Sequence, residues 1–458
     1  LYATQFKNLP IGQMEEKFAD YGEVQIKQLN DRSKMYYTPN KENNVFQLVV
    51  QYGAGEREFP KLGYAAQLMN NAGIMGAYEP QELKEELSKL NATCHVTADD
   101  DNLYIIMEGY EATLPQACQL LSRQILMPKL DEKQLARLKG SAMGMRQQRK
   151  DNVSILNEAL RQYMLYGEKS DYIKELTDKE IYELQISELT GDINRASNYE
   201  AKVFFTGTLP FDQVYDILSK NLPLVANERP SNSPQAKDMM PVTENTVYFL
   251  PNNDAEQAQI HLYIPMQKAD KKDDVLRSAF NQYFGLDFTG IVLNEIREKR
   301  SMAYTAYAFV GTQGIAGKAS YLRGYIGTQN DKANDALDVL MGLVNDMPKN
   351  PERIDNIKSY LRQAMLTSHP SFRNKAMELV DLGYRGYTDD PAKENLPKVD
   401  ALTFDDIVKF YEENIKDKPY CISIMGNPKN IDLKRLEKFG KVVKLNERKL
   451  FNTKDALF

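Results

Sequence analysis

Two stretches of this chain carry the same pattern 219 residues apart, and that repetition limits what it can fold into. Val203-Phe204-Phe205-Thr206 reads as a strand ended by Gly207, and Ile422-Ser423-Ile424-Met425 as a strand ended by Gly426. At the same offset, helical Pro115-Gln116-Ala117-Cys118-Gln119-Leu120-Leu121 corresponds to Asn334-Asp335-Ala336-Leu337-Asp338-Val339-Leu340. The order of elements around these anchors also repeats. In the first copy, hydrophobic periodicity predicts strands over 33–38 and 44–52 and helices over 62–71 and 79–90. A hairpin of 92–98 and 103–109 follows, then helices over 113–126, 131–150 and 153–166, and a helix over 187–197 leading into the strand 201–206. In the second copy, strands over 245–250 and 257–265 precede helices over 273–284 and 289–300. A hairpin of 304–310 and 318–327 comes next, then helices over 331–346, 351–367 and 371–384, and a helix over 403–414 leading into the strand 420–425. Residues 227–238 are polar, hold two prolines and have the composition of a linker. A lead-in with one short helix, Ile11 to Tyr21, precedes the first copy. Strands grouped in hairpins and helices grouped in runs predict an α+β chain. It is expected to hold two homologous αβ domains, 1–229 and 230–458, each a mainly antiparallel sheet packed with helices.

At 458 residues the chain is too long for one core. A net charge of -6 leaves no basic field for nucleic acid. No apolar run approaches the ~20 residues that span a bilayer. Leu1-Tyr2-Ala3-Thr4-Gln5 holds neither an initiating Met nor a signal h-region, so the chain is expected to be a piece of something longer. Cys94, Cys118 and Cys421 are odd in number and far apart, which predicts buried thiols. Of the three histidines, His95 and His261 fall in predicted strands and His369 precedes Pro370. None has a second His at helical spacing, which excludes a two-His zinc site on one helix. There is no GxSxG, P-loop or GxGxxG. Asp99-Asp100-Asp101-Asn102 lacks the alternating ligand spacing of a calcium loop and reads as a hairpin turn.

One stretch remains as a candidate for chemistry. In Asn294-Glu295-Ile296-Arg297-Glu298-Lys299-Arg300-Ser301-Met302-Ala303-Tyr304 a charged helical run meets the start of a strand. Arg297 and Tyr304 are seven residues apart and would share a face of a continuing helix. If the helix stops near Ser301, Tyr304 opens the strand beside the helix end. Either way a guanidinium and a phenol reach one space. The bland alternative is that Arg297 is a cation near a helix C-terminus, favourable with the dipole and needing no function.

The run Leu293 to Tyr304 closely resembles the EIREKRGLAY signature of the pitrilysin/insulinase family, with Ser301 for the usual Gly and Met302 for the usual Leu. Gly285-Leu286-Asp287-Phe288-Thr289-Gly290 stands where that family often has a glycine-rich run, and Gly53-Ala54-Gly55-Glu56-Arg57-Glu58 resembles the GSR.E that precedes its zinc helix. The likeness extends from about residue 30 onward. Family enzymes have four homologous αβ domains, in one chain or two subunits, forming two halves that close around a chamber. The first domain carries His-x-x-Glu-His and a later Glu as zinc ligands. Aligning Gly63-Tyr64-Ala65 with the family's Gly-Leu-Ala puts Ala66 and Asn70 at the two His positions and Met69 at the catalytic Glu. The third-ligand region reads Arg146-Gln147-Gln148-Arg149, and Asp151 is the only acidic residue between Glu132 and Glu158.

The resemblance therefore implies the zinc-free C-terminal half of a zinc metallopeptidase, inactive alone, with no cofactor of its own and zinc in the partner half. It implies that Tyr304 donates to the oxyanion of the tetrahedral intermediate across the chamber and that Arg297 holds a substrate backbone carbonyl. Expected partners are a zinc-bearing N-terminal half or subunit and a peptide substrate, with no nucleic acid and no membrane span. A separate inactive subunit of a heterodimeric peptidase, or a structural or binding protein of the same fold, stays open beside this. For the parent protein the resemblance points to the periplasm or cell envelope, with the cytoplasm as the alternative.

Overall fold

The computed structural model describes residues 15–226, 228–285 and 289–454. Its strands are β1 (Gln25–Gln28), β2 (Lys34–Pro39), β3 (Val45–Tyr52), β4 (Gly73–Ile74), β5 (Thr93–Ala98), β6 (Leu103–Tyr110), β7 (Pro128–Lys129) and β8 (Ala201–Gly207) in the first half. In the second half they are β9 (Thr246–Pro251), β10 (Gln257–Lys268), β11 (Ala303–Thr312), β12 (Ala319–Gln329), β13 (Cys421–Gly426) and β14 (Lys441–Lys444). Six helices matter here: α1 (Leu62–Met69), α2 (Leu114–Leu126), α3 (Val153–Tyr166), α4 (Asp274–Phe284), α5 (Ala333–Asn345) and α6 (Lys375–Tyr384). None of the described helices is long and apolar enough to cross a membrane.

Two six-stranded sheets form, in the orders β1-β2-β8-β3-β6-β5 and β11-β12-β10-β13-β9-β14. Reversing the second order aligns five strands of each: β2, β8, β3, β6 and β5 with β9, β13, β10, β12 and β11. Pairing sense agrees as well. β2 runs parallel to β8 and β9 parallel to β13, and the other pairs among the five are antiparallel. Helices α2 and α5 follow their hairpins at the offset seen in the sequence, 114 to 333 at one end and 126 to 345 at the other. The sixth strand departs from the repeat. It comes from the N-terminal side as β1, antiparallel to β2, and from the C-terminal side as β14, parallel to β9.

Strand alternation builds each core on one sheet face. In β10, Ile260, Leu262 and Ile264 enter the second core with Phe280, Leu337 and Leu340, while His261 and Tyr263 face the other way. In the first half, Phe46, Leu48 and Val50 of β3 pack with Leu62, Leu121 and Phe205. The opposite faces are not left to water. Leu156, Ala159 and Leu160 of α3 lie on Leu250 and Met425 of the second sheet. Farther along α3, Met164 and Leu165 lie on Tyr263 and Cys421. In return, α6 of the second half sets Ala376, Met377 and Val380 against Val49 and Phe204 of the first sheet. Each half thus covers part of the other's outer face with one helix.

Some expectations needed correction. Residues 11–14 of the expected lead-in helix, with the ten before them, lie outside the described residues, and residues 15–20 are not helical. A single 3-10 turn at Tyr21–Glu23 follows, capped by Asp20. The stretch with linker composition is stitched down rather than free in solvent. Arg229 donates to the Asn198 carbonyl (2.9 Å) and accepts from Glu200 N–H (2.7 Å), and Asn232 N–H donates to the Gly53 carbonyl (2.8 Å). This strap passes so close that a Cβ on Gly53 would meet Ser231 Oγ at 2.0 Å. Asn227 lies outside the described residues. Strands β1 and β14 and the helix Pro391–Ala401 were not anticipated.

Leu160 is fully buried between the halves. Leu160→Ala is expected to cost about 2–5 kcal/mol, measured as a lowered urea midpoint. A loss under about 1 kcal/mol would show that α3 does not hold the second sheet.

Candidate functional site

The segment from Gly290 to Thr305 departs from regular geometry three times in a short length. One α-turn, Ile291–Leu293, widens into a π-helical turn over Asn294–Glu298, in which Lys299 N–H donates to the Asn294 carbonyl at 2.9 Å. Such i→i+5 turns are rare and concentrate at functional sites. The turn closes at Ser301, whose φ of 50° is left-handed and whose N–H donates to the Arg297 carbonyl at 2.8 Å. Then β11 begins with a register shift, since Ala303 pairs with Thr328 but Thr305 with Gly327, leaving Tyr304 as the extra residue of a β-bulge.

The surroundings hold this shape. Ile296 is fully buried in the second core. The Thr328 hydroxyl donates to the Met302 carbonyl, and Lys332 Nζ reaches the Ser301 carbonyl at 3.2 Å. Glu295 takes Lys299 and Arg300, each at 2.5 Å. Hydrogen bonds from Arg300 and Lys299 hold its carboxyl below the usual glutamate range. Arg297 is left out of that cluster, and among the described residues its ion pair is with Glu298, at 3.5 Å. It lines a cavity of about 390 Å³ together with Glu298, Ser301, Tyr304, Gln329 and Lys332. Tyr304 is 57% exposed, and the Gln329 amide lies 3.4 Å from its hydroxyl. The helix therefore stops before Ser301, Tyr304 opens the strand, and both side chains reach one space. The cavity offers hydrogen-bond donors (a guanidinium, a phenol, an amide and an ammonium) suited to the carbonyl oxygens of an extended chain. Glu298 adds a carboxylate to the same lining. Of the neighbouring run 285–290, residues Leu286, Asp287 and Phe288 lie outside the described residues.

The positions where the resemblance expects zinc chemistry are used otherwise. Ala66 and Met69 are buried in the first core. Asn70, at the end of α1, commits both polar atoms of its side chain to one residue of β5. It accepts from Val96 N–H at 2.8 Å and donates to the Val96 carbonyl at 2.9 Å, along the outer edge of the sheet. The second half repeats this clamp. Asn281 of α4 accepts from Val310 N–H at 2.6 Å and donates to the Val310 carbonyl at 3.0 Å, again on an edge strand. Sequence reasoning missed Asn281, although asparagine on the corresponding helix of the second copy was a signal within reach. In the third-ligand region Arg146 bonds Asp178 at 2.7 Å and Arg149 bonds Glu175 at 2.8 Å. Alanine, methionine and an engaged asparagine are not a donor set for zinc. Among the described residues no group of three or more His, Cys, Asp or Glu side chains is arranged to hold a metal. Nearby, Glu56 and Arg57 N–H groups bond the Asp99 and Asp100 carbonyls of the β5–β6 turn. Burial, with the Asp100 and Asp99 charges, pushes the Glu56 carboxyl up to about 7.

Residues 197–361, which include Arg297 and Tyr304, match the family model described as the peptidase M16 inactive domain. By that match the stretch is similar to a peptidase M16 inactive domain. The fold as a whole is similar to the peptidase M16 inactive domain from Pseudomonas fluorescens, with a TM-score of 0.69 at 17% identity over 89% of this chain and 99% of that one. It is also similar to the ferredoxin protease FusC, solved as a mutant in complex with Arabidopsis ferredoxin (TM-score 0.70, 12% identity, 92% of this chain and 47% of that one). The periplasmic protease PqqL from Escherichia coli gives a TM-score of 0.66 at 12% identity, over 93% of this chain and 50% of that one. The chain thus spans about half the length of FusC and of PqqL, and at these identities the likeness is one of fold. No curated protein matches the sequence. The M16 match agrees with the pitrilysin-type resemblance of residues 293–304, and the mixed, largely antiparallel sheets packed with helices agree with the expected α+β class.

Two substitutions test the local geometry. Ser301→Gly removes a left-handed penalty of about 1–2 kcal/mol and adds back about 0.5–1 kcal/mol of unfolded-chain entropy, so it should leave stability equal or raise it by up to about 1.5 kcal/mol. Ser301→Val should lower stability, and a neutral Val variant would mean the turn relaxes. Asn70→Ala strands the outward N–H and C=O of Val96 at a cost of about 1–3 kcal/mol, read in denaturant unfolding.

Proposed function

We propose that this chain is the non-catalytic half of a zinc metalloendopeptidase that cleaves peptides in a closed chamber, divided near residues 229 and 230 into two copies of one αβ domain. On this reading the zinc belongs to the partner half, because the residues at Ala66, Met69 and Asn70 do not fit the metal. Tyr304 donates its hydroxyl to the oxyanion that forms on the scissile carbonyl, and Arg297 holds a neighbouring substrate carbonyl. The observation that carries the proposal is the cavity itself. A π-turn, a left-handed serine and a β-bulge, each unfavourable locally, together deliver an exposed phenol and a guanidinium paired with Glu298 into one donor-lined space. A cation that merely closes a helix would need none of the three.

The protease neighbours support the peptidase context. FusC and PqqL, each about twice as long, support the reading of a second half on the same chain, with a separate inactive subunit as the alternative. PqqL is periplasmic, and the periplasm or cell envelope is the proposed location here.

A preorganised donor to an oxyanion is worth roughly 3–4 kcal/mol, and a charged hydrogen bond to substrate about 1.5–3 kcal/mol. In the protein joined to its zinc-bearing half, Tyr304→Phe should lower kcat by about 10²–10³-fold with little change in KM. Arg297→Ala should lower kcat/KM by about ten- to a hundredfold. Full kcat after both changes would leave a scaffold or binding protein as the better reading. Metal analysis of this chain alone is expected to find no bound zinc, and stoichiometric zinc would refute the assignment of the metal to the partner.

A further inference from the structure

The bulge at Tyr304 connects the cavity to a second surface. In β11, Ala306, Ala308 and Val310 enter the core, so Thr305, Tyr307 and Phe309 share the outer face. The hydrogen bond to Gln329, which lies on that face of β12, puts Tyr304 there too. Across the ladder Tyr307 pairs with Tyr325, and Tyr325 with His261. Their rings form a continuous row, with centroids 5.3 Å apart for Tyr307–Tyr325 and 5.1 Å for Tyr325–His261, and Phe309 lies 6.0 Å from Tyr307.

Two glycines let this aromatic layer lie flat. A Cβ on Gly327 would stand 3.0 Å from the Tyr325 hydroxyl, and one on Gly311 would stand 3.1 Å from the Tyr321 ring. Tyr325 therefore crosses Gly327, with its hydroxyl donated to Gln259. Helix α3 covers the inner end of the row, where His261 bonds Asn157 at 3.0 Å, but Tyr307, Phe309 and Tyr325 stay partly exposed beside the Arg297–Tyr304 cavity.

The charges on this floor choose among possible occupants. The outward positions of the three strands hold no Asp or Glu: Thr305, Tyr307 and Phe309 on β11, Tyr321, Arg323, Tyr325 and Gln329 on β12, and Gln259, His261 and Tyr263 on β10. The cation there is Arg323, whose Nε is buried without a partner, and Arg297 and Lys332 stand at the rim. Aromatic rings alone would also attract a lysine or arginine side chain. At the rim Glu298 offsets Arg297, but Arg323 and Lys332 still leave the surroundings net positive over a floor without a carboxylate, so a cationic side chain is repelled and stacking of an aromatic or a large aliphatic side chain remains.

We infer that Tyr307, Phe309 and Tyr325 form a side-chain subsite that selects an aromatic or bulky apolar residue of an extended peptide close to the bond being cleaved. This rests on the reading that Arg297 and Tyr304 hold the substrate backbone. Extended chains place alternate side chains on one face about 6.5–7 Å apart, so a peptide lying along the floor from Tyr304 presents its next same-face side chain to Tyr307.

The test uses the protein with its zinc-bearing half and a fluorogenic peptide series carrying Phe, Leu, Gly or Lys at each position flanking the cleaved bond. At one position kcat/KM should rank Phe and Leu above Gly, and Gly above Lys. Tyr307→Leu, which keeps the apolar volume and removes the ring, should reduce the Phe-to-Gly ratio of kcat/KM by about tenfold, and Phe309→Leu should act in the same direction. A Phe-to-Gly ratio unchanged in both variants, or a wild-type preference for Lys, would overturn the subsite. Tyr304→Phe, assayed alongside, separates the two ideas. An unchanged kcat there removes the transition-state role, whereas the selectivity ratio is still read from the Tyr307 variant.

Discussion

The molecule depends on the apolar contact that each half makes with the outer face of the other's sheet. A sheet with helices on one face must still account for its second face. Here α3 places Leu156 and Leu160 on Leu250 and Met425, and α6 places Ala376 and Val380 on Val49 and Phe204. Helix α6 follows the second hairpin as α3 follows the first, so the exchange repeats the duplication itself. Neither helix reaches the edge strands β5 and β11 by these contacts. The surfaces beside those edges stay partly open, and there the Arg297–Tyr304 cavity and the aromatic floor lie.

Covered centres and open edges explain where irregular backbone is tolerated. A π-turn, a left-handed serine and a bulge would each weaken an isolated helix or strand. In this molecule they are pinned by Ile296 in the core, by the Thr328 hydroxyl on Met302, and by Glu295 gathering Lys299 and Arg300. The support falls on the backbone and on neighbouring cations, leaving Arg297 and Tyr304 facing the cavity.

Much of this was legible in the sequence because repetition and periodicity are local signals. Val203–Gly207 and Ile422–Gly426 do occupy matching central strands, and helices such as Val153–Tyr166 kept the bounds that their periodicity implied. The Arg297–Tyr304 pair was found from spacing and resemblance together. What escaped depends on partners distant in the chain. The four-residue edge strands β1 and β14 are too short for alternation to show. The π-turn and the bulge leave no compositional mark, since they are settled by how 294–305 meets Thr328 and Gly327. The strap at 228–232 looked free because its polar residues suit solvent, yet its backbone is paired with Asn198, Glu200 and Gly53.

The asparagines at positions 70 and 281 have a consequence for both sheet edges. A side-chain amide that accepts from a residue's N–H and donates to the same residue's carbonyl reproduces what a neighbouring strand would offer at that point. Each is in effect a one-residue strand built into the chain. At Val96 and at Val310 the edge is already filled. A foreign strand, or a second copy of this protein, meets an occupied position at those residues, while among the described residues the end of β11 where Tyr304 stands carries no such clamp.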